Sequence, residues 1–529
     1  VTLVSFASLP LEDVRALADL ERRVFERVDH YDAAPWTTAN FEAPLPDKLM
    51  LSFVARANGE VVGFLVASRR AGGDVRLHRL AVDPDQGGSG WGAALIARLL
   101  ESTSGPISVS CHPANTRALA LYRSFGFGSQ TGQVDGKLVL HLPARDGVRM
   151  WYIYNTISMA TGHASHVPRL LDAMAAHGSV SGIGYGTDDL PPFSIGVQWI
   201  AAFARLLRRA RSERVRVVFV RIHWPLAALF RIAGSVLGWR VVVWSSGAVG
   251  PALDTRVSAR VRAQRSMFTT VLRRLVDGVA TGPPAVAMDY VRRYRIRPEK
   301  VVLVANDVDV ARWADVGGAG EDPAARPAGT AEWFEARYRV LYAHGLDRLR
   351  GADRLPELAA DLAERLPGAV VLAVGHGSLR ASLSSAPHIV APGAVSNDTI
   401  ALLLRHAHAV LVPSRQEGFP RVVLEALAAG CPPVCTDVGG CRDIVGPDLA
   451  GLLVADSVAD MITLAVGWCT THASDEALHR ALIGRAREFD TSVVARRLTA
   501  ALGVLGVAGT SAAHRVSWAG WHDVFARTP

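Results

Sequence analysis

The stretch VPSRQEGFPRVVLEALAAGCPPVCTDVGG, residues 412–440, decides the fold. AVLVPS, overlapping its start, reads as a buried strand, Glu417-Gly418-Phe419 as the loop that leaves it, and RVVLEALAA as a helix. Pro420 stands where that helix begins, its fixed φ suiting a first turn, and Gly430 stands where it ends. PPVCTDVGG then opens the next strand. Strand, loop, helix, strand is the repeating unit of a parallel sheet. The helix N-terminus therefore points to the sheet's carboxyl edge, where unpaired N–H groups and the helix dipole favour an anion. Glu417 lies in that loop and Glu425 two turns into the helix.

The same rhythm extends upstream. RVLYAHG, AVVLAVGHG, HIVAPGA and AVLVPS form one α/β series. MWYIYNTIS, RVRVVFVRI, WRVVVWSSG, GVATG and KVVLVAND form another, and DVGGAGEDPAARPAGTAE, rich in Gly, Pro and Ala, separates the two. Each series implies a doubly wound parallel sheet. Ahead of both, LPARDGVR reads as a linker. Before it lie a hairpin turning at Asn58-Gly59, the strand VRLHRLAV, the turn DPDQGGSG, the amphipathic helix WGAALIARLLES, the strand PISVSC and the helix NTRALALYRSF, which stops at Gly126. The tail beyond about residue 490 reads as helical, then polar with two tryptophans. Four units result: 1–146, 148–315, 335–490 and a tail of 491–529 expected to pack on the second.

A chain of 529 residues exceeds one ordinary domain, and 50% hydrophobic with 20% charged residues is a globular composition. The net charge of +8 suits anionic ligands such as CoA, a nucleotide-sugar or a lipid phosphate surface. The arginines are scattered through Ala-rich helices without interleaved aromatics, which argues against nucleic acid. Cys431, Cys435 and Cys441 cluster without a C-x-x-C spacing, so no metal is expected and reduced thiols are. With acidic residues in VTLVSFASLPLEDV and no run of about 18 uncharged apolar residues, the expectation is a cytoplasmic protein that spans no membrane, though peripheral membrane contact is compatible with its charge.

Two family resemblances follow. VRLHRLAV leading into DPDQGGSGWGAALI, with HPANTRALALYRSFGF downstream, resembles the GNAT N-acetyltransferases, whose pattern is N-x-x-A-x-x-L-Y-x-x-x-G-F. The resemblance implies acetyl-CoA as cosubstrate, bound by Leu80 and Val82 of the strand and by Gly87, Gly88, Ser89, Gly90, Trp91 and Gly92. Glycines and open helix N–H groups let a pyrophosphate approach closely. It implies further that Asn115 contacts the pantetheine arm and that Tyr122 protonates the departing thiolate. A phenol with a pKa of about 10 is a neutral donor at pH 7. One departure is Gly87, where the family usually has Arg or Gln; Gln86 stands one place early. His78, with an ordinary pKa of about 6.5, is the candidate general base. ERRVFERVDHYDAAPWTTANFEAPL matches the amine-acceptor region.

Residues 412–440 resemble the Glu-x7-Glu motif of family 4 glycosyltransferases, which implies a GT-B pair of Rossmann-like domains and a nucleotide-sugar donor. In that family's terms Glu417 lies by the donor sugar as a catalytic carboxylate, the backbone of Gly418 and Phe419 holds the sugar hydroxyls, Pro420 lies beside them in the donor site, and Glu425 hydrogen-bonds the ribose. LYAHGLDRLRGADRL is similar to the diphosphate loop, with Gly345, Arg348 and Arg350; Leu346 replaces the family Arg. Gly375 matches a later glycine loop, and Val395 the region that reads the base. Gly162 and His166 match the first-domain loop that approaches the donor, while Asp307 replaces a family Gly. The chain so read is an α/β bifunctional enzyme. It transfers a sugar with retention to a small-molecule or lipid-linked acceptor and acetylates an amine, an aminosugar being the economical choice. The alternative is a glycosyltransferase whose GNAT domain only senses acetyl-CoA or docks a carrier.

Overall fold

The computed structural model describes residues 2–155, 166–187, 190–191, 197–245, 259–314 and 326–525. The first sheet contains β1 (Thr2–Ser5), β2 (Phe53–Ala57), β3 (Glu60–Arg69), β4 (Val75–Val82), β5 (Ile107–Cys111), β6 (Gly128–Val134) and β7 (Lys137–Leu142), in the order β1-β2-β3-β4-β5-β7-β6. Its pairs are antiparallel except β4 with β5. The turn between β2 and β3 has Asn58 at φ 52° and Gly59 at φ 85°, the positive angles a tight hairpin requires.

The second sheet contains β8 (Arg149–Asn155), β9 (Ser179–Tyr185), β10 (Val215–Arg221), β11 (Arg240–Trp244), β12 (Gly278–Thr281) and β13 (Val301–Leu303), ordered β13-β12-β11-β10-β8-β9. The third contains β14 (Tyr338–Ala343), β15 (Ala369–Val374), β16 (Ile389–Gly393), β17 (Ala409–Val412), β18 (Pro433–Thr436) and β19 (Val454–Ala455), ordered β16-β15-β14-β17-β18-β19. Both are wholly parallel. The strands β12, β13, β15 and β17 are buried throughout and so read as continuous apolar runs, such as AVVLAV of β15, whereas the edge strands β9 and β16 are only partly buried. In the third sheet the order reverses between β14 and β17, which opens a crevice beyond their carboxyl ends.

The tail forms two helices, Thr491–Ala508 and Thr510–Gly520, where the sequence suggested helix and then a polar end. It packs on the helix His166–Ala175 and on strand β13 of the second sheet. It packs as well on the first unit's helices Trp91–Ser102 and Thr116–Ser124. Thr491–Ala508 is long and apolar enough, by length and composition, to cross a membrane, and 61% of it is buried inside the protein. The LPARDGVR segment is not a loose tether. Arg145 is buried, donating from Nη2 to the carbonyls of Leu100 and Thr103, and Val148 is buried beside it. Buried Glu101 of the first unit faces Arg496 and Arg497 of the tail at 3.4 and 3.6 Å. One apolar cluster accordingly runs without interruption from Leu51 to Phe525.

Candidate active sites

The first site is a cavity of about 610 Å³ where β4 and β5 splay apart. The two strands pair only across Val75–Leu77. Beyond that, β4 carries a bulge: Arg79 faces Val66 and Leu77 faces Ala67, leaving His78 as the extra residue. The bulge reverses the strand's hydrogen-bonding parity. Val75 N donates to Pro106 O on the β5 side, whereas Asp83 N donates to Val62 O on the β3 side. Leu80 and Val82 lie opposite Leu65 and Gly63, so their backbone groups point into the gap that β5 has left.

The loop after β4 closes this gap with Gly88 at φ 80° and Gly90 at φ 86°, conformations that favour glycine. Gly90 caps the helix Trp91–Ser102, whose first internal bond is Ala94 N to Gly90 O. The N–H groups of Trp91, Gly92 and Ala93 thus open the helix towards the cavity, which Gly87, Gly88, Gly90, Trp91 and Gly92 line. The absent Arg or Gln side chain at Gly87 has a substitute, because the guanidinium of Arg117 lies 2.9 Å from where a Cβ on Gly87 would stand. Ser89 sits between, its N–H bonded to Gln86 O.

Asn115 caps the helix Thr116–Ser124, accepting from Ala118 N at 3.0 Å, which leaves its amide NH2 for a ligand in the cavity. Tyr122, buried on the same helix, lines the cavity against Phe127, and burial pushes its phenol above the ordinary range. His78 lies at the cavity wall with Nε2 2.7 Å from Ser68 Oγ. Desolvation, with Arg76, Arg70 and Lys48 nearby, lowers its pKa to about 4. It is neutral at pH 7 but a weak base. At the other end stands a charge cluster that the sequence reading missed. Arg79, 4% exposed, pairs with Glu21 at 2.9 Å and with Asp32, beneath the rings of Tyr31 and Trp36. Lys137 holds Asp32 from β7 at 2.6 Å. Glu21 comes from the amphipathic helix Leu11–Arg27, whereas Asp32 comes from a segment without periodicity.

The second site is the crevice between β14 and β17. Glu417, 4% exposed, lies 2.5 Å from Arg350 Nη1 and 3.0 Å from His344 Nε2, and accepts from Ser414 Oγ at 2.8 Å. His344 Nδ1 accepts from Gly345 N, so its proton is on Nε2 and is donated to Glu417. Burial opposes the charge, but His344, Arg350 and Ser414 together hold the carboxyl below its usual range. His344 and Ser414 were not singled out from sequence; their positions at the carboxyl ends of β14 and β17 were the available signal.

Gly375 and Gly345 bring the neighbouring loops close. A Cβ on Gly375 would stand 1.9 Å from His344 O, and Tyr342 OH bonds Gly345 O at 2.6 Å. Arg350 points to Glu417, whereas Arg348 is 79% exposed at the rim beside Asp353, and Leu346 is buried in the core. Val395 packs against the core after β16. Pro420 is the cap of the helix Arg421–Ala428 rather than its first residue. Gly418 O accepts from Gly440 N, and buried Phe419 O accepts from Asn306 of the second unit at 2.8 Å. Glu425 faces Arg421 at 3.6 Å, and burial raises its carboxyl. Asp307, the residue replacing a family glycine, accepts from Thr491 Oγ1 at 2.9 Å and faces Arg421, tying the two parallel-sheet units and the tail together. His166 begins the helix His166–Ala175 and is buried; Gly162 lies outside the described residues. The five cysteines are buried and unbridged. Among the described residues no three His, Cys, Asp or Glu side chains gather as a metal site.

Residues 14–127 match the model of the acetyltransferase (GNAT) family, and residues 330–488 that of the glycosyl transferases group 1. The D-inositol 3-phosphate glycosyltransferase of Kribbella flavida is 30% identical over 298 residues, 49% of this chain and 69% of that protein. Its namesake in Salinispora tropica is 28% identical over 194 residues, 34% of this chain and 40% of that one. The first curated relatives are matched over 26–53% of their length, so the chain spans about half of them or less. The crystal structure of Anabaena HepE in complex with UDP is similar with a TM-score of 0.50 at 14% identity, covering 66% of this chain and 97% of that one. That likeness shows the fold, a GT-B pair of Rossmann-like domains.

Proposed function

We propose, for a chain that belongs to the group 1 glycosyl transferases and carries a GNAT-family acetyltransferase domain ahead of them, two transfer reactions on one polypeptide. The C-terminal pair of domains, of family 4 type, transfers a sugar from a nucleotide-sugar to an acceptor hydroxyl with retention. The N-terminal domain transfers the acetyl group of acetyl-CoA to an amine, with an aminosugar as the economical substrate. The domain limits 1–146, 148–315, 335–490 and 491–529 belong to this reading.

The observation that carries it is the clamp of Glu417 between Arg350 and His344 at the reversal point of the third sheet. As the diphosphate leaves, positive charge grows on the sugar ring and negative charge on the phosphate. A carboxylate kept ionised beside an arginine is preorganised for both. Glu425 suits the ribose, the Gly418–Phe419 backbone the sugar hydroxyls, and Arg350 with the rim residue Arg348 the diphosphate. In the N-terminal cavity the helix-opening N–H groups suit the CoA pyrophosphate, and neutral Tyr122 suits protonation of the departing thiolate.

His78 holds its Nε2 against Ser68 Oγ at 2.7 Å rather than towards an amine, which favours a second reading in which the N-terminal domain binds acetyl-CoA without turning it over. Mass spectrometry of products separates the two. The full chain is incubated with nucleotide-sugars, UDP-sugars first because HepE was solved with UDP, and with acceptors that include an inositol phosphate, with and without acetyl-CoA. Glycosylated product that gains an acetyl group supports two reactions; glycosylated product never acetylated supports the binding reading; no glycosylation with any donor contradicts both.

A further inference from the structure

We propose that the helix Thr510–Gly520 and the turn after it complete the acetyl-CoA site: Arg515 binds a phosphate of the cofactor, and His522 positions the loop that cradles it. The inference rests on the acetyl-CoA reading of the N-terminal cavity. Arg515 lines that cavity although it lies more than four hundred residues from the loop in sequence. Its side chain is exposed, its Nε donates to Ser124 Oγ at 3.3 Å, and among the described residues no carboxylate lies within ion-pairing distance of it. Arg117 reaches the same loop over Gly87. Two guanidiniums from different ends of the chain thus converge beside helix N–H groups that already favour an anion.

His522 acts on the loop itself. Its Nε2–H donates to Ser89 O at 2.9 Å, and its ring meets Trp91 edge-on with centroids 4.8 Å apart. Ser89 and Trp91 flank Gly90, the cap of the helix whose N–H groups face the cavity. The helix Thr510–Gly520 that brings both residues here is anchored on its other side to the edge strand β13. His514 Nδ1 and Trp518 Nε1 donate to Val301 O at 2.7 and 3.2 Å, and Ser517 Oγ accepts from Leu303 N at 3.0 Å. The cofactor site therefore borrows its rim from an element docked on the glycosyltransferase, so full acetyl-CoA affinity is a property of the whole chain.

Calorimetric titration of the full-length protein with acetyl-CoA, CoA and dephospho-CoA tests this, using wild type, Arg515→Ala, Arg515→Lys, His522→Phe and His522→Gln. Arg515→Ala should bind acetyl-CoA about tenfold more weakly at low ionic strength, Lys should restore most of the loss, and the difference should shrink as salt rises. A loss confined to CoA assigns Arg515 to the ribose phosphate, and a loss shared with dephospho-CoA assigns it to the pyrophosphate. His522→Phe keeps a ring on Trp91 but loses the donor, and should raise the KM for acetyl-CoA at unchanged kcat; Gln, which keeps a donor, should lie closer to wild type. Wild-type affinity in both Arg515→Ala and His522→Phe would overturn the inference. A wild-type protein that binds no acetyl-CoA would overturn the reading of the cavity instead.

Discussion

Replacing Glu417 with Gln is the sharpest perturbation of the glycosyltransferase crevice. Glutamine keeps the shape and can still accept from Ser414 and His344, but its NH2 then faces Arg350 where a carboxylate stood 2.5 Å away. Arg350 is 29% exposed, so water screens part of the loss. A cost of about 2 kcal/mol is reasonable for breaking a half-buried charge-assisted pair from one side. For a domain of this size that corresponds to a fall in Tm of about 4–8 °C. The catalytic loss should be larger, because the charge matters most when the diphosphate departs. A fall in kcat of about 100-fold, with a much smaller rise in KM, is expected. Initial-rate kinetics with the accepted nucleotide-sugar and a thermal melt measure both. Unchanged kcat with unchanged Tm would refute the reasoning, and a loss seen wholly in KM would refute the role given to the charge.

Other outcomes follow from the same geometry. Glu425→Ala should act mainly on KM for the nucleotide-sugar, by about 1.5–3 kcal/mol, with nucleotide binding by calorimetry falling in step; equal loss of nucleotide binding in the Glu417 and Glu425 variants would contradict the division of labour. Tyr122→Phe should slow acetyl transfer by about 100-fold at nearly constant acetyl-CoA affinity, and an unchanged turnover number would remove it from the mechanism. Acidification should destabilise the fold. His78, lowered to about 4, makes the folded chain bind fewer protons than the unfolded one as pH drops below about 6.5, and Glu417, held below its usual range, adds to the loss only below about 4.5. The decline in Tm between pH 7 and pH 5 should be smaller in His78→Gln than in wild type; parallel curves would argue against the low pKa.

The two parallel sheets and the GNAT-type sheet were legible because their strands alternate or run apolar, and because Gly59, Gly126 and Gly430 punctuate them at positive φ. The loop positions around Glu417 and Gly90 were legible for the same local reason. What escaped the sequence is long-range. His344 reaches Glu417 from another strand end, Arg117 covers Gly87, and Asp32 meets Arg79 from an aperiodic segment. LPARDGVR has the composition of a linker between the first two units. Buried Arg145, the Glu101 cluster and the contact of Gly126 with Ala508 instead join them across a shared interface. Composition reports what a segment can do in isolation, not what packs over it.

The central claim is that one chain holds two independent transfer sites, and product analysis of paired variants tests it most directly. Full-length wild type, Glu417→Gln and Tyr122→Phe are supplied together with the accepted nucleotide-sugar, acceptor amine and isotopically labelled acetyl-CoA, and products are resolved by mass. Over a fixed initial-rate interval, Glu417→Gln should lower the sugar increment about 100-fold and spare the labelled acetyl increment on an amine, while Tyr122→Phe should do the reverse. Loss of neither increment in its own variant, or retention of both in each, would contradict the account.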